Sequence, residues 1–171
     1  MANICSFIFC AKGKKEDVSK VLDAIQQKTP ELWIGRGATL NYTDLDFEED
    51  SETGMVMVNS SGDCKWSIKA ALVLDALDME EQRTTGKGCW GDIDGVKKFM
   101  TIGEACKTYN VNMEFYSEEP GCCFAEHVTI ENGEETWDCV DFHETYDEEA
   151  DEWVTEGGYE DQSYQIEFPA A

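Results

Sequence analysis

No lysine or arginine follows Lys107 in this 171-residue chain. Residues 1–110 hold 18 acids and 13 bases, whereas residues 111–171 hold 19 acids and no base, so most of the net charge of −24 sits in the last third. That third cannot make a salt bridge with a lysine or arginine of its own. Exposed like charges repel, relieved mainly by ionic screening over about 8 Å at physiological salt. Such a surface is excluded from nucleic acid and from anionic membranes. It attracts cations, or basic protein surfaces built to hold phosphate.

Other shortages narrow the chemistry. The eight cysteines include no C-x-x-C pair, and the only histidines are His127 and His143. Zinc sites need closely paired ligands; the nearest set, Cys122, Cys123 and His127, lacks a fourth member. The cysteines read instead as small apolar core residues kept reduced. No apolar run approaches the roughly 18 residues of a membrane span. The opening "MANICSFIFC" has neither a basic leader nor a cleavage site. The expectation is a soluble protein of the cytoplasm.

Catalytic patterns are equally scarce. There is no G-x-S-x-G elbow. "GKGCWG" (86–91) matches G-x-G-x-x-G in letters only, since no strand feeds it and no helix opens after it. "DIDG" (92–95) lacks the further acids of a calcium loop. Glu126 adjoins His127 and Glu144 adjoins His143, but neighbours on a strand point to opposite faces, so neither Glu orients its histidine. These observations assign no catalytic residue and no cofactor, and the chain reads as a non-enzyme.

What is present is a foldable sequence, 42% hydrophobic and 11% aromatic. "ICSFIFCA" (4–11) reads as a buried strand. "KGKKEDVSKVLDAIQQKTP" places Val18, Val21, Leu22 and Ile25 at helical spacing, with Pro30 as the stop. "GMVMVNSS" (54–61) is a second strand, followed by a helix capped near Ser61 or Asp63 and carrying Ile68, Leu72, Leu74 and Leu77. "VKKFMTI" and "VNMEFYS" are strand candidates flanking a short helix in "GEACKTYN". "AEHVTIENGEETWDCVDFH" alternates on both sides of Asn132-Gly133, which suits a type I′ hairpin. "YQIEF" (164–168) is a final strand. The predicted class is α+β, a two-layer sandwich with helices on one face of a mainly antiparallel sheet.

"SGDCKWSIKAAL" (61–72), "YSEEPGCCFAEHVTIENGEE" (116–135) and the opening "MANICSFIFCAKGKKEDV" resemble segments of the YubB-type ferredoxin-like domain family of phages and plasmids. The resemblance covers residues 1–135 in patches, and "SEEPG" is its most distinctive part. It implies a βαββαβ core without an iron–sulfur cluster and an origin on a mobile element. It transfers no catalytic residue. The division expected is a ferredoxin-like domain over 1–135 and an acidic C-terminal β-hairpin region over 136–171, packed on it.

The acidic region holds "FHETYDEEADEWVTEGGYED" (142–161), in which nine carboxylates surround Phe142, Tyr146, Trp153 and Tyr159. Acids on two paired strands would approach the charge density of a nucleic-acid backbone. The aromatics would anchor a contact, although packing on the second sheet face is the plainer use for Trp153. Together with the mobile-element resemblance, this gives an expected partner: a basic nucleic-acid-binding host protein, such as a CRISPR effector or a restriction enzyme. Glu144, Asp147, Glu148, Glu149, Asp151, Glu152, Trp153 and Glu156 form the expected contact surface, with Glu118, Glu119 and the 131–138 hairpin as a second patch. The alternative expectation is an accessory module that binds a small ligand or divalent cation, or a homodimer scaffold joined by a sheet edge.

Overall fold

The computed structural model describes residues 3–41, 45–73, 80, 84, 87–88, 91–92, 95–147 and 150–170. The chain order is β1 (Ile4–Gly13), α1 (Lys15–Ile25), β2 (Trp33–Ile34), β3 (Thr39–Leu40), β4 (Glu48–Glu49), β5 (Val56–Lys65) and a π-helical turn (Lys69–Val73). There follow β6 (Lys87–Gly88), β7 (Gly91–Asp92), β8 (Phe99–Met100), α2 (Ile102–Tyr109), β9 (Asn112–Glu119), β10 (Phe124–Glu131), β11 (Glu134–Asp147) and β12 (Glu152–Gly157). The main sheet runs β12-β11-β10-β9-β1-β5-β3, with β4 also on β5. Every pairing in it is antiparallel.

Alternation along the strands divides the sheet into two faces. Cys5, Phe7, Phe9 and Ala11 of β1 join Val56, Val58, Met113, Phe115, Val128 and Ile130 in one core. Val18, Val21, Leu22 and Ile25 of α1, and Ile102, Ala105 and Cys106 of α2, cover that face. Phe7, Phe9 and Phe115 meet with ring centroids 5.8–6.2 Å apart. The architecture is therefore α+β, with a mostly antiparallel sheet. The ferredoxin-like order does not emerge from these pairings. β1 lies between β5 and β9 and is antiparallel to both, so the connection through α1 joins antiparallel neighbours, β1 and β5, while β5 and β9, joined through α2, run parallel to each other.

Several boundaries differ from the sequence expectation, each for a physical reason. α1 ends at Ile25, before Pro30, because Gln27 adopts a left-handed φ of 53°. β5 continues to Lys65, pairing with β1 from Gly13↔Val56 to Ile4↔Lys65. Ser61 and Asp63 are therefore strand residues and not helix caps. A ten-residue ladder outweighs one local capping bond. The cap is instead Ser67, whose Oγ accepts the Ala70 N–H at 3.0 Å. Ile68 and Leu72 are buried beneath it; Leu74 and Leu77 lie outside the described residues, as do parts of "GKGCWG" and "DIDG". "VKKFMTI" contributes only the short β8, parallel to β2.

The expected final strand is absent: residues 161–170 have no ladder pairing. They cross the second sheet face as an extended strap, with Ile166 buried. The Asn132-Gly133 hairpin forms as expected, with φ of 53° and 78° at the two turn residues. β11 then passes without interruption through residues 135 and 136, so the acidic region is an extension of the same sheet.

Candidate functional site: the acidic hairpin and the strapped sheet face

β11 and β12 form a ribbon at the sheet's end, in register from Phe142↔Gly157 to Asp147↔Glu152. Alternation places Glu144, Tyr146, Trp153 and Thr155 on one side, and His143, Asp147, Glu152, Val154 and Glu156 on the other. The expected contact residues are thus brought onto one ribbon but divided between its two sides. Glu148 and Glu149 lie outside the described residues. Asp147 and Glu152 are directly opposed, an arrangement of like charges that costs stability.

Trp153 is 68% exposed, and its one ring partner among the described residues is Tyr146, edge-on at 5.5 Å. The plainer expectation, that Trp153 packs the second sheet face, is not what the structure shows. Two of the acids also serve the turn itself. Asp147 accepts the Ala150 N–H at 3.2 Å, and Asp151 accepts the Tyr146 hydroxyl, which raises the tyrosine's pKa. Asp151 holds a positive φ of 55°.

The second expected patch is dispersed. Glu118 is exposed on the strapped face, where its carboxylate accepts from Gln162 Nε2 at 3.4 Å. Glu119, one residue on, is only 2% exposed. Its carboxylate closes the β9–β10 turn by accepting the N–H groups of Gly121 (3.1 Å) and Cys122. It is unavailable to a partner.

Buried carboxylates were the feature least legible in the sequence. Glu114 is fully buried between β9 and the strap. Its carboxylate accepts the N–H of Gln165 at 2.6 Å and of Ile166 at 3.0 Å, and pairs with His127 Nε2 at 2.7 Å. His127 stacks on Tyr116 with centroids 4.3 Å apart, and Tyr159 packs edge-on against both rings. The Tyr159 hydroxyl donates to Asp138 at 3.0 Å. Burial, aided by the Glu114 charge, pushes the Tyr116 pKa up to about 12. Tyr159 and Tyr164 are raised further, again chiefly by burial.

Glu126, 1% exposed, does the same on the helix face. It accepts the Ile68 N–H at 2.7 Å, Trp137 Nε1 at 2.9 Å and the Ser117 hydroxyl at 3.2 Å. Glu135 accepts Gly103 N–H at 2.9 Å in the first turn of α2. In place of lysine and arginine, the acidic third uses backbone N–H groups. The signal that could have located this cluster is the four-residue 120–123 turn, which sets Tyr116 opposite His127 and Glu114 diagonal to it.

Among the described residues, no group of three or more His, Cys, Asp or Glu is placed to hold a metal ion. His127 belongs to Glu114, while the Cys122 sulfur receives Asn3 Nδ2 at 3.2 Å. No described helix is long and apolar enough to cross a membrane. A scan of family models and searches of the curated proteins and the solved structures find no match to this chain.

Proposed function

We propose that this protein is a counter-defence inhibitor from a mobile element, which binds the basic nucleic-acid cleft of a host defence nuclease through its acidic ribbon. The observation that carries the reading is the β11–β12 ribbon: acids on both sides, an exposed Trp153, and no base after Lys107 to neutralise it. The sequence from 142 to 157 holds seven carboxylates. The six paired positions span about 20 Å and hold four of these, Glu144, Asp147, Glu152 and Glu156, about one charge per 5 Å. That is about three-fold sparser than duplex DNA, at about one per 1.7 Å of axis. Glu144 is the one paired acid on the Trp153 side, and Asp147, Glu152 and Glu156 share the other, which is itself about four-fold sparser than DNA. A cleft that encloses the whole ribbon therefore suits it better than a flat basic surface.

The inhibitor acts without chemistry, by occupying the channel in which a CRISPR effector or restriction enzyme holds its polynucleotide. Arginine and lysine meet carboxylate oxygens there as they meet phosphate oxygens. Trp153 supplies the apolar anchor that charge alone lacks. A YubB-type, mobile-element origin is supported by the resemblance of residues 1–18, 61–72 and 116–135.

The test is a nuclease-protection series using CRISPR effectors and restriction enzymes, at salt from about 50 to 200 mM. Inhibition should weaken at least ten-fold across that range, because screening shortens the reach of exposed charges. Replacing Asp147, Glu148, Glu149, Asp151 and Glu152 together by lysine should abolish it. A folded five-fold variant with undiminished potency refutes the mechanism. Failure of the unaltered protein to bind any basic nuclease refutes the function.

A further inference from the structure

Independently of the ribbon, β1 and β5 bring two thiols together. Cys5 and Cys64 are directly opposed in the register, on the face covered by the helices. Opposed residues of an antiparallel pair have Cα atoms about 4.5 or 5.5 Å apart. Both spacings fall within the range of about 4.4–6.8 Å that a disulfide spans. Among the described cysteines no other two occupy opposed ladder positions: Cys10 faces Asn59 and Glu114, and Cys139 faces Glu126.

Both thiols are sheltered, Cys5 fully and Cys64 to within 5%. Shelter does not mean sealed. Cys64 lines a cleft of about 370 Å³, together with Gln27, Arg36, Thr39, Asp63 and Lys65. That space admits a molecule as small as a peroxide. Proximity to Cys64 draws the Cys5 thiol below its ordinary pKa against the opposing effect of burial. The nearness of Cys5 and burial push Cys64 up. Two sheltered thiols at opposed ladder positions are the arrangement in which a sulfenic acid formed on one is resolved by the other as a disulfide.

We propose that Cys5 and Cys64 are a site of reversible oxidation, closing as a cross-strand disulfide in the presence of hydrogen peroxide and reopening with a dithiol. In the first step one sulfur attacks peroxide, the O–O bond breaks, and the chain gains a sulfenic acid while one water leaves. In the second step the opposed sulfur attacks the sulfenic sulfur, the S–O bond breaks, and a second water leaves. Two thiols and one peroxide become one disulfide and two waters; the sulfurs are oxidised and the peroxide is reduced. A dithiol reverses the change by exchange and is itself oxidised to a disulfide. The bond ties β1 to β5 at the end of their ladder and withdraws the Cys64 thiol from the cleft.

The full chain is treated with hydrogen peroxide, blocked with an alkylating agent, digested without reduction and mapped by mass spectrometry. The expected product is a peptide containing Cys5 joined to one containing Cys64, lighter by two hydrogens and separated again by dithiothreitol. Because the link closes a long loop, the oxidised chain should melt roughly 5–15 °C higher. In the Cys64→Ser chain, Cys5 should form no internal link. The proposal is overturned if Cys5 and Cys64 both remain alkylatable after denaturation while exposed Cys122 and Cys139 have oxidised. It is equally overturned if Cys5 is recovered joined to one of those two. The mapping uses unaltered protein, so it decides the matter even where the serine variant fails to fold.

Discussion

Replacing Glu114 by alanine is the sharpest test of how this chain tolerates its own charge. The carboxylate is wholly enclosed and receives three donors: the N–H groups of Gln165 and Ile166, and His127 Nε2. Hydrogen bonds to a charged group contribute about 1.5–3 kcal/mol each, and they are not additive when they share one acceptor. Truncation also strands two backbone donors against the sheet. The strap escapes part of that cost by lifting away so that water reaches them. A net loss of about 3–5 kcal/mol is expected, in line with breaking a buried charged network. For a chain of this size that lowers Tm by roughly 6–20 °C. Glu114→Gln keeps one acceptor oxygen but turns an amide NH₂ toward a donor, and should fall in between. Hydrogen exchange separates this account from generic core damage. Amides 163–168 should lose protection far more than those of the β1–β5 ladder. Should Glu114→Ala leave strap protection and Tm unchanged, the carboxylate is not what holds the segment down, and the reasoning fails.

Two further expectations follow from the same geometry. A Cβ at Gly103 would overlap the Glu135 carboxylate; Gly103→Ala should therefore displace that cap and cost about 1 kcal/mol or more by urea denaturation, while α2 keeps its Thr101–Glu104 capping box. The tyrosines of the strapped face give a pH signature. Their folded pKa values are raised above the ordinary 10, Tyr116 to about 12 and Tyr159 and Tyr164 beyond it. The folded state thus favours the neutral phenols. Their contribution to stability is complete below pH 10 and is lost as pH rises through the folded values. Alkaline titration should show a late tyrosinate step coincident with strap release; ionisation of all six tyrosines near pH 10 with the fold intact would contradict it.

Much of the fold could be read directly. The buried run in β1, the spacing of Val18, Val21, Leu22 and Ile25, and the Asn132-Gly133 turn each declare a local structure, because each depends on residues near one another in the chain. The strap departs from its expected strand for the converse reason. "YQIEF" has strand-like alternation, yet it pairs with no strand, since the acceptors for its amides are the side chains of Glu114 and Glu131. Side-chain acceptors from remote strands leave no local pattern. The Ser61 and Asp63 caps failed similarly, overruled by a partner strand some fifty residues away.

For the candidate site the division is cleaner. Composition alone determined that the last third is anionic and has no lysine or arginine of its own, because formal charge is a property of residues and not of their arrangement. Which acids face solvent was decided only by tertiary structure. Strand parity sends Glu118 outward and Glu119 inward. The sheet's register buries Glu114 and Glu126 among N–H donors, whereas the ribbon, lying beyond the last packed strand, leaves Glu144, Glu152, Trp153 and Glu156 in water. A carboxylate's role here depends on the donors brought to it from elsewhere in the chain, and those are fixed only when the strands have paired.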